Sequence, residues 1–212
     1  MKLTEIFLSI QGESSWAGYP CVFVRTTGCH LRCVWCDTDY AFYGGRDMSI
    51  DEIVAEVERI GNDCKLVELT GGEPLLQKEI VPLAECLLGS GYTVLCETSG
   101  SLDVSILPGA VIKIMDIKCP GSGEVDKNLW DNLDRLGPDD EVKFVVRDRA
   151  DYDWAVAVIG ERGLARRKLL FAPVWGELEP QELAGWILED NVPARLQVQL
   201  HKYIWSPNAS GV

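Results

Sequence analysis

The sequence lacks an apolar run that could cross a lipid bilayer, because no hydrophobic stretch approaches the roughly 20 residues that a spanning helix needs. An export signal is not indicated either, since an acid stands at Glu5 and the apolar stretch is interrupted at residues 11–13. With 47% hydrophobic and 25% charged residues, the 212-residue chain has an ordinary globular composition. We therefore expect one cytoplasmic domain over residues 1–212, with no membrane partner.

Basic residues are also scarce. The chain carries 20 Lys and Arg against 33 Asp and Glu, which gives a formal net charge of −13. A surface this acidic repels phosphate backbones, and duplex nucleic acid is therefore excluded as an expected partner. A small anionic ligand in a locally basic pocket remains compatible with this charge.

Paired cysteines of the kind that staple secreted proteins are not indicated. The chain has eight cysteines, but only Cys29, Cys33 and Cys36 stand close together. In a cytosolic protein such a cluster indicates a metal site rather than disulfides. The other five stand singly among apolar residues, which predicts small buried side chains.

The three clustered cysteines form a CxxxCxxC motif without a fourth cysteine. A four-iron cubane ligated fully by protein uses four cysteines, so three thiolates leave one iron open for a substrate or cofactor. The alternative is a zinc site, which needs a fourth ligand. His30 lies inside the loop and His201 is distant in sequence. The motif therefore favours an iron–sulfur cluster.

Strand and helix patterns alternate along the chain. Predicted strands cover residues 20–27, 65–69, 92–97, 111–118, 141–147, 168–173 and 195–200, and predicted helices cover 49–60, 76–88, 150–160 and 180–188. This alternation predicts an α/β fold with a parallel sheet. About six βα units are too few for a closed eight-stranded barrel, so we expect a partial, truncated TIM-like barrel.

Polar and glycine-rich segments follow several of the predicted strands. They are residues 28–29, 70–73, 97–100 and 116–118. In barrels of this type the chemistry lies at the carboxyl ends of the strands. The sequence therefore predicts an active site on that rim.

The cysteine motif resembles the signature of the radical S-adenosylmethionine (SAM) superfamily. The Gly-Gly-Glu-Pro turn at residues 71–74 resembles the superfamily segment that contacts the amino group of SAM. Consecutive glycines allow the backbone to approach a ligand closely, and Glu73 supplies an acceptor. The resemblance implies a radical SAM fold, a [4Fe-4S] cluster and SAM as cofactors.

Three longer segments resemble the 7-carboxy-7-deazaguanine synthase family: Ser-Ile-Gln-Gly-Glu at residues 9–13, the cluster loop at 28–38 and the segment at 199–205. The resemblance implies conversion of 6-carboxy-5,6,7,8-tetrahydropterin to 7-carboxy-7-deazaguanine with release of ammonia, in queuosine-type 7-deazapurine biosynthesis. It also implies Mg²⁺, a flavodoxin or ferredoxin as reductant, and a homodimer.

The family resemblance implies roles for individual residues. Cys29, Cys33 and Cys36 would hold the cluster, and the hydroxyl of Thr38 would bind Mg²⁺, which prefers hard oxygen ligands. The implied SAM contacts are Trp35, Cys36, Asp37, Gly71, Gly72, Glu73, Ser99, Asp116, Ile117, Lys118, Pro173 and Val174. The implied substrate contacts are Ile10, Gln11, Gly12, Glu13, Arg25, Thr70, His201 and Val212.

Two other functions remain open from the sequence. A glycyl-radical-enzyme activase also carries a CxxxCxxC motif, but it acts on a large protein and needs no Mg²⁺ site at residues 37–38. A non-catalytic iron–sulfur or zinc module would bind metal without cleaving SAM. These alternatives differ from the main prediction in substrate size and in radical chemistry.

Overall fold

The strands form one open sheet of nine strands in the computed structural model, which describes residues 1–207, 209, 211 and 212. The strands are β1 (Lys2–Ile10), β2 (Pro20–Thr26), β3 (Arg46–Asp47), β4 (Leu66–Gly71), β5 (Thr93–Thr98), β6 (Ile112–Ile117), β7 (Glu141–Val146), β8 (Lys168–Pro173) and β9 (Arg195–Leu196). Their spatial order is β3-β1-β2-β4-β5-β6-β7-β8-β9. Strands β2 and β4–β9 are parallel, whereas β1 and β3 are antiparallel to their neighbours.

The helices lie mostly in the crossovers between parallel strands. They are α1 (Ile50–Gly61), α2 (Ile80–Gly89), α3 (Arg149–Glu161), α4 (Pro180–Glu189) and the short α5 (Leu200–Ile204). The β5–β6 and β6–β7 connections contain short 3-10 turns in place of α-helices. The predicted α/β partial barrel is therefore confirmed, with β3 and β9 as its two unjoined edges within the described residues.

The N-terminal strand is the main element that the sequence patterns did not predict. Strand β1 forms an antiparallel hairpin with β2 and contains a register irregularity between Leu3 and Glu5. The predicted strand at residues 195–200 is also shorter in the structure, where β9 ends at Leu196 and α5 begins at Leu200. Both differences lie at the ends of the chain.

The two faces of the parallel sheet bury different kinds of side chain, because successive residues of a strand point to opposite faces. The outer face contributes residues such as Val24, Leu69 and Phe144 to the main core with the helices. The inner face carries a smaller apolar layer of Cys21, Phe23, Leu66, Leu95, Ile114 and Leu170. Further along β2, β4, β5 and β6 the inner face turns polar, with Arg25, Glu68, Glu97 and Asp116.

Aromatic packing holds α3 and α4 against the outer face. The Tyr152 ring meets Phe171 edge to face with a centroid separation of 5.6 Å, and its hydroxyl donates a hydrogen bond to the carbonyl of Trp186 at 2.9 Å. A buried tyrosine is favourable where its hydroxyl finds a partner, as here. This contact joins α3, β8 and α4 in one core.

None of the described helices is long and apolar enough to cross a membrane.

The predicted capping box at the start of α1 is present. The Glu52 amide donates to Ser49 Oγ at 3.2 Å, and the Ser49 amide donates to Glu52 Oε2 at 2.7 Å. We expect Ser49→Ala to lower the free energy of unfolding by about 1 kcal/mol, because an orphan helix donor loses its acceptor. Urea denaturation measures this change. Ser90→Ala, an exposed position after α2, is the control and should have a smaller effect. Equal effects at both positions would contradict the capping role.

Candidate active site

A cavity of about 910 Å³ opens on the polar part of the inner face. The structure brings most of the sequence-predicted site residues into its lining. They are Ile10, Gln11, Gly12, Glu13, Arg25, Cys29, Cys33, Trp35, Cys36, Asp37, Thr38, Thr70, Gly71, Gly72, Ser99, Asp116, Lys118, Pro173, Val174, His201 and Val212. Residues from both ends of the chain and from six strand ends therefore meet at one place.

The three motif cysteines line this cavity as free, partly exposed thiols. Within the described residues, no three acidic, histidine or cysteine side chains converge on one ion position. A cubane does not require such convergence, because each thiolate binds a different iron. Burial raises the pKa of all three thiols, so we expect cluster binding to release protons.

Close backbone packing places the Gly-Gly-Glu-Pro turn beneath the cluster loop. A Cβ at Gly72 would lie 2.3 Å from the carbonyl oxygen of Gly28, so only glycine fits there. The Glu73 amide also donates to that oxygen at 2.8 Å. Because Gly28 directly precedes Cys29, these contacts fix the position of the cluster loop relative to the carboxyl end of β4.

Two of the predicted SAM contacts have side chains outside the cavity lining. The Glu73 carboxylate is fully buried and accepts hydrogen bonds from Thr98 Oγ1 at 2.8 Å and from the Ser99 amide at 2.8 Å. Glu73 therefore stabilises the backbone at the carboxyl end of β5. Ile117 lies on the outer face and packs in the main core, because it alternates with the inward-facing Asp116 and Lys118.

Asp116 presents an unused acceptor. Its Oδ2 accepts a hydrogen bond from Lys118 Nζ at 2.8 Å, whereas its buried Oδ1 has no partner among the described residues. A buried acceptor without a partner costs free energy, which a donor on a bound ligand would recover. A polar ligand bound in the cavity beside the end of β6 can supply the donor that Asp116 Oδ1 lacks.

Glu13, which was predicted as a substrate contact, belongs to a cluster of three carboxylates and one lysine, whose other members Glu68, Glu97 and Lys143 were not predicted as site residues. Lys143 Nζ donates to Glu13 Oε2 at 3.0 Å and also contacts Glu97. Gln11 Nε2 donates to Glu68 on β4. Strand β4 lies next to β5, which carries Glu97. The available sequence signal was a charged residue inside each apolar strand, as in Val-Glu-Leu at 67–69 and Val-Lys-Phe at 142–144.

The pKa values of Lys143 and Glu68 are both raised, which favours the charged form of the lysine and the neutral form of the carboxyl. Burial opposes the charge on Lys143, but Glu13 and Glu97 outweigh it and raise the pKa of Lys143 well above its usual value. Burial, together with the charges of Glu97 and Glu13, raises the pKa of Glu68 well above its usual value. Lys143 is therefore an ammonium, and Glu68 is the carboxyl that holds a proton most readily.

Arg25 lies on β2 and Lys143 on β7, with β4, β5 and β6 between them in the sheet. Its Nε donates to Glu5 Oε1 at 2.7 Å, and Tyr40 donates to the same oxygen at 2.8 Å. In the described part of the chain the only side-chain hydrogen bond that the guanidinium donates is the one from Nε. The two terminal nitrogens are therefore available for a carboxylate, which they can bind as a fork.

The segment at residues 197–202 ties the N-terminal loop to the cluster loop. Gln199 Nε2 donates to Glu13 Oε1 at 3.0 Å and to Asp37 Oδ2 at 2.9 Å. Gln197 Nε2 donates to Glu13 Oε2 at 2.8 Å. The tail then returns to the cavity, where Gly211 and Val212 line the wall. Neither Gln197 nor Gln199 was predicted as a site residue.

Comparison with known proteins places this geometry in a family. The model of the radical SAM superfamily matches residues 23–118. The 7-carboxy-7-deazaguanine synthase of Koribacter versatilis is 49% identical over 227 aligned residues, covering 100% of both chains. The synthase of Chlorobaculum tepidum is 46% identical and covers 100% of this chain and 97% of its own.

The chain belongs to the 7-carboxy-7-deazaguanine synthase family. It is a radical SAM enzyme, and a [4Fe-4S] cluster and SAM follow from that membership. The crystal structure of QueE from Escherichia coli is similar in fold, with a TM-score of 0.76, 23% identity and 94% of each chain covered. The free thiols and the unused Asp116 acceptor fit these two cofactors.

Gly12 permits the contact between the N-terminal loop and α5. A Cβ at this position would lie 2.2 Å from His201 Nδ1 and 3.0 Å from the His201 amide nitrogen. We expect Gly12→Ala to displace α5 and to speed amide hydrogen exchange across residues 200–204, since a side-chain rotation alone cannot clear the backbone. Gly109→Ala is the control, because its Cβ would meet nothing within 4 Å. Unchanged exchange in Gly12→Ala would refute the steric role.

The raised pKa of Glu68 makes the stability depend on pH. Above an unfolded pKa of about 4.5 the unfolded chain loses the Glu68 proton while the native protein keeps it. Stability therefore falls as pH rises from that value toward the native pKa, by up to about 1.4 kcal/mol per pH unit. Glu68→Gln removes this loss, so its stability advantage over the wild type should grow from pH 5 to pH 7 in urea titrations. Exposed Glu85→Gln should show no such trend, and a pH-independent difference at Glu68 would contradict the assignment.

Proposed function

We propose that the enzyme converts 6-carboxy-5,6,7,8-tetrahydropterin to 7-carboxy-7-deazaguanine with release of ammonia. The observation that carries the proposal is one cavity lined by the cluster cysteines, the Arg25 guanidinium and the Glu13 carboxylate. The curated relatives bear the corresponding enzyme name at up to 49% identity over the full chain. When bound, the cluster and SAM supply the radical that removes a hydrogen atom from the substrate.

Recognition of the substrate carboxylate falls to Arg25. Its side chain is 16% exposed, and the guanidinium carbon lies 6.0 Å from the Phe7 ring centroid and 5.8 Å from that of Tyr40. The Glu5 carboxylate on Nε fixes the plane of the fork. A fork held in this way binds a carboxylate with less loss of side-chain entropy than a free arginine.

Recognition of the pterin ring falls to the loop at residues 10–13, with Thr70 and His201 beside it. A pterin presents amide and amino donors, which the Glu13 carboxylate and the Gln11 side chain complement. Lys143 keeps Glu13 ionised: burial opposes the charge, but the ammonium outweighs it and lowers the pKa of Glu13. The acceptor is therefore a carboxylate at neutral pH.

SAM would lie between the cluster loop and the ends of β4, β5 and β6. Trp35, Cys36 and Asp37 approach from the cluster loop, and Ser99, Asp116 and Lys118 from the strand ends. Backbone at Gly71, Gly72, Pro173 and Val174 completes the proposed wall. The Glu73 and Ile117 side chains act from outside this wall, through the backbone that they hold.

Mg²⁺ is proposed to bind the Thr38 hydroxyl together with the substrate carboxylate and water. Hydroxyl and carboxylate oxygens are hard ligands of the kind that Mg²⁺ prefers, and this ion usually keeps several waters. Thr38 and Arg25 line the same cavity, and we propose that the substrate carboxylate meets both. We further propose a cytoplasmic homodimer that receives electrons from a flavodoxin or a ferredoxin.

The cavity favours this reading over a glycyl-radical activase. Val212 and the α5 residues His201 and Lys202 line its wall, and its volume of about 910 Å³ suits a small molecule. The non-catalytic metal module is not favoured by the family membership.

The test is anaerobic reconstitution followed by turnover with dithionite, SAM, Mg²⁺ and the carboxytetrahydropterin. We expect about four irons per chain and 7-carboxy-7-deazaguanine by mass spectrometry in molar excess over cleaved SAM. Cys33→Ala should lose both iron and product, while Cys86→Ala, an exposed cysteine on α2, should keep both. SAM cleavage without the deazaguanine product would refute the substrate assignment and leave the superfamily assignment intact.

A further inference from the structure

Asp37 joins α5 to the proposed magnesium ligand. Its Oδ2 accepts hydrogen bonds from Lys202 Nζ at 2.7 Å and from Gln199 Nε2 at 2.9 Å. Its Oδ1 accepts a hydrogen bond from the Thr38 hydroxyl at 3.0 Å. One carboxylate therefore has one oxygen on the C-terminal segment and the other on Thr38.

The direction of the Thr38 hydrogen bond matters for metal binding. A hydroxyl that donates its proton to a carboxylate keeps its oxygen lone pairs free, and the same bond makes that oxygen more electron-rich. Partners of this kind orient metal ligands, and their loss typically costs about 10- to 100-fold in metal affinity. Asp37 is placed to act on Thr38 in this way.

The Lys202 side chain is buried and paired with Asp37. It is only 7% exposed although it lies on a helix of five residues near the end of the chain. Burying an ammonium is costly unless it is paired, and Asp37 is the partner at 2.7 Å. The Lys202 ammonium also lies 5.6 Å from the Trp175 ring centroid, after β8.

The helix that carries Lys202 is itself held from two further sides. The Leu200 amide donates to the Gly12 carbonyl at 2.9 Å, and the Tyr203 ring meets Trp175 edge to face at 5.3 Å. Lys202 is therefore fixed relative to the N-terminal loop and to the segment after β8 as well as to the cluster loop.

We propose that Lys202 and Gln199 are positioning residues which lock Asp37 and, through it, orient the Thr38 hydroxyl toward Mg²⁺. The inference deepens the proposed function, since it rests on Thr38 as the magnesium ligand. Docking of α5 then completes the metal site, and no residue of α5 touches the ion.

The test compares Lys202→Met with the wild type in the reconstituted enzyme. The first readout is the Mg²⁺ concentration for half-maximal turnover, which we expect to rise about 10-fold or more. We expect the rate at saturating Mg²⁺ to fall much less, because the reacting groups remain. Lys202→Arg keeps the charge and a donor and should recover most of the affinity.

The second readout does not depend on turnover. Mn²⁺ replaces Mg²⁺ in enzyme loaded with SAM and the pterin but not reduced, and EPR of free Mn²⁺ gives the affinity. Lys202→Met should weaken Mn²⁺ binding by a similar factor, and Thr38→Ala sets the size expected for loss of the ligand itself. Lys168→Met is the matched control, since Lys168 pairs with Asp139 on the surface, where the two side chains are 45% and 77% exposed.

The outcomes separate the two proposals. Product formation that needs Mg²⁺, with unchanged or tighter Mn²⁺ binding in Lys202→Met, would overturn the positioning role and leave the proposed function standing. Wild-type enzyme that cleaves SAM but yields no deazaguanine, and that binds no Mn²⁺ in the presence of the pterin, would overturn the proposed function together with the positioning role, because the pterin carboxylate is part of the proposed metal site. Weaker Mn²⁺ binding in Lys202→Met but not in Lys168→Met supports the inference.

Discussion

The buried ammonium of Lys143 makes the polar inner face possible. Three carboxylates in one cavity wall would repel one another and lose their hydration, a cost that burial makes large. Lys143 meets Glu13 from the N-terminal loop and Glu97 from β5, and so gives two of them a partner. Burial and the charges of Glu97 and Glu13 raise the pKa of the third, Glu68, well above its usual value, which favours its neutral form. The cavity can therefore be both buried and polar without collapsing into an apolar core.

The same interaction explains how the two ends of the chain share one site. Ile10 pairs with Pro20, at the end of β2 opposite to the cluster loop, so residues 11–13 start from the far rim of the barrel. They reach the site by folding into the concave face, where Glu13 meets Lys143 and the glutamines that precede α5. The far side of the cavity is thus closed by a loop that strand-end rules would place away from the chemistry.

The sequence predicted what depends on local spacing. The cluster loop, the turn at residues 71–74, the capping box of α1 and the parallel strands follow from patterns a few residues long, and they are present. Residues 116–118 were predicted to act together, but strand alternation sends Ile117 into the outer core. Glu68, Lys143 and Gln199 were missed because their meaning lies in partners far away in sequence, which no local pattern reveals. Strand β1 carried no clear strand signal either, because most of its side chains are half-buried and do not alternate between buried and exposed.

The hydrogen bond between Gln199 and Glu13 joins residues 186 positions apart. A contact of this sequence separation cannot form until residue 199 has been synthesised, whereas the β1–β2 hairpin and its parallel partner β4 need only the first 71 residues. The hydrogen bonds that Gln197 and Gln199 donate to Glu13 are therefore among the last of the site to become available as the chain is made.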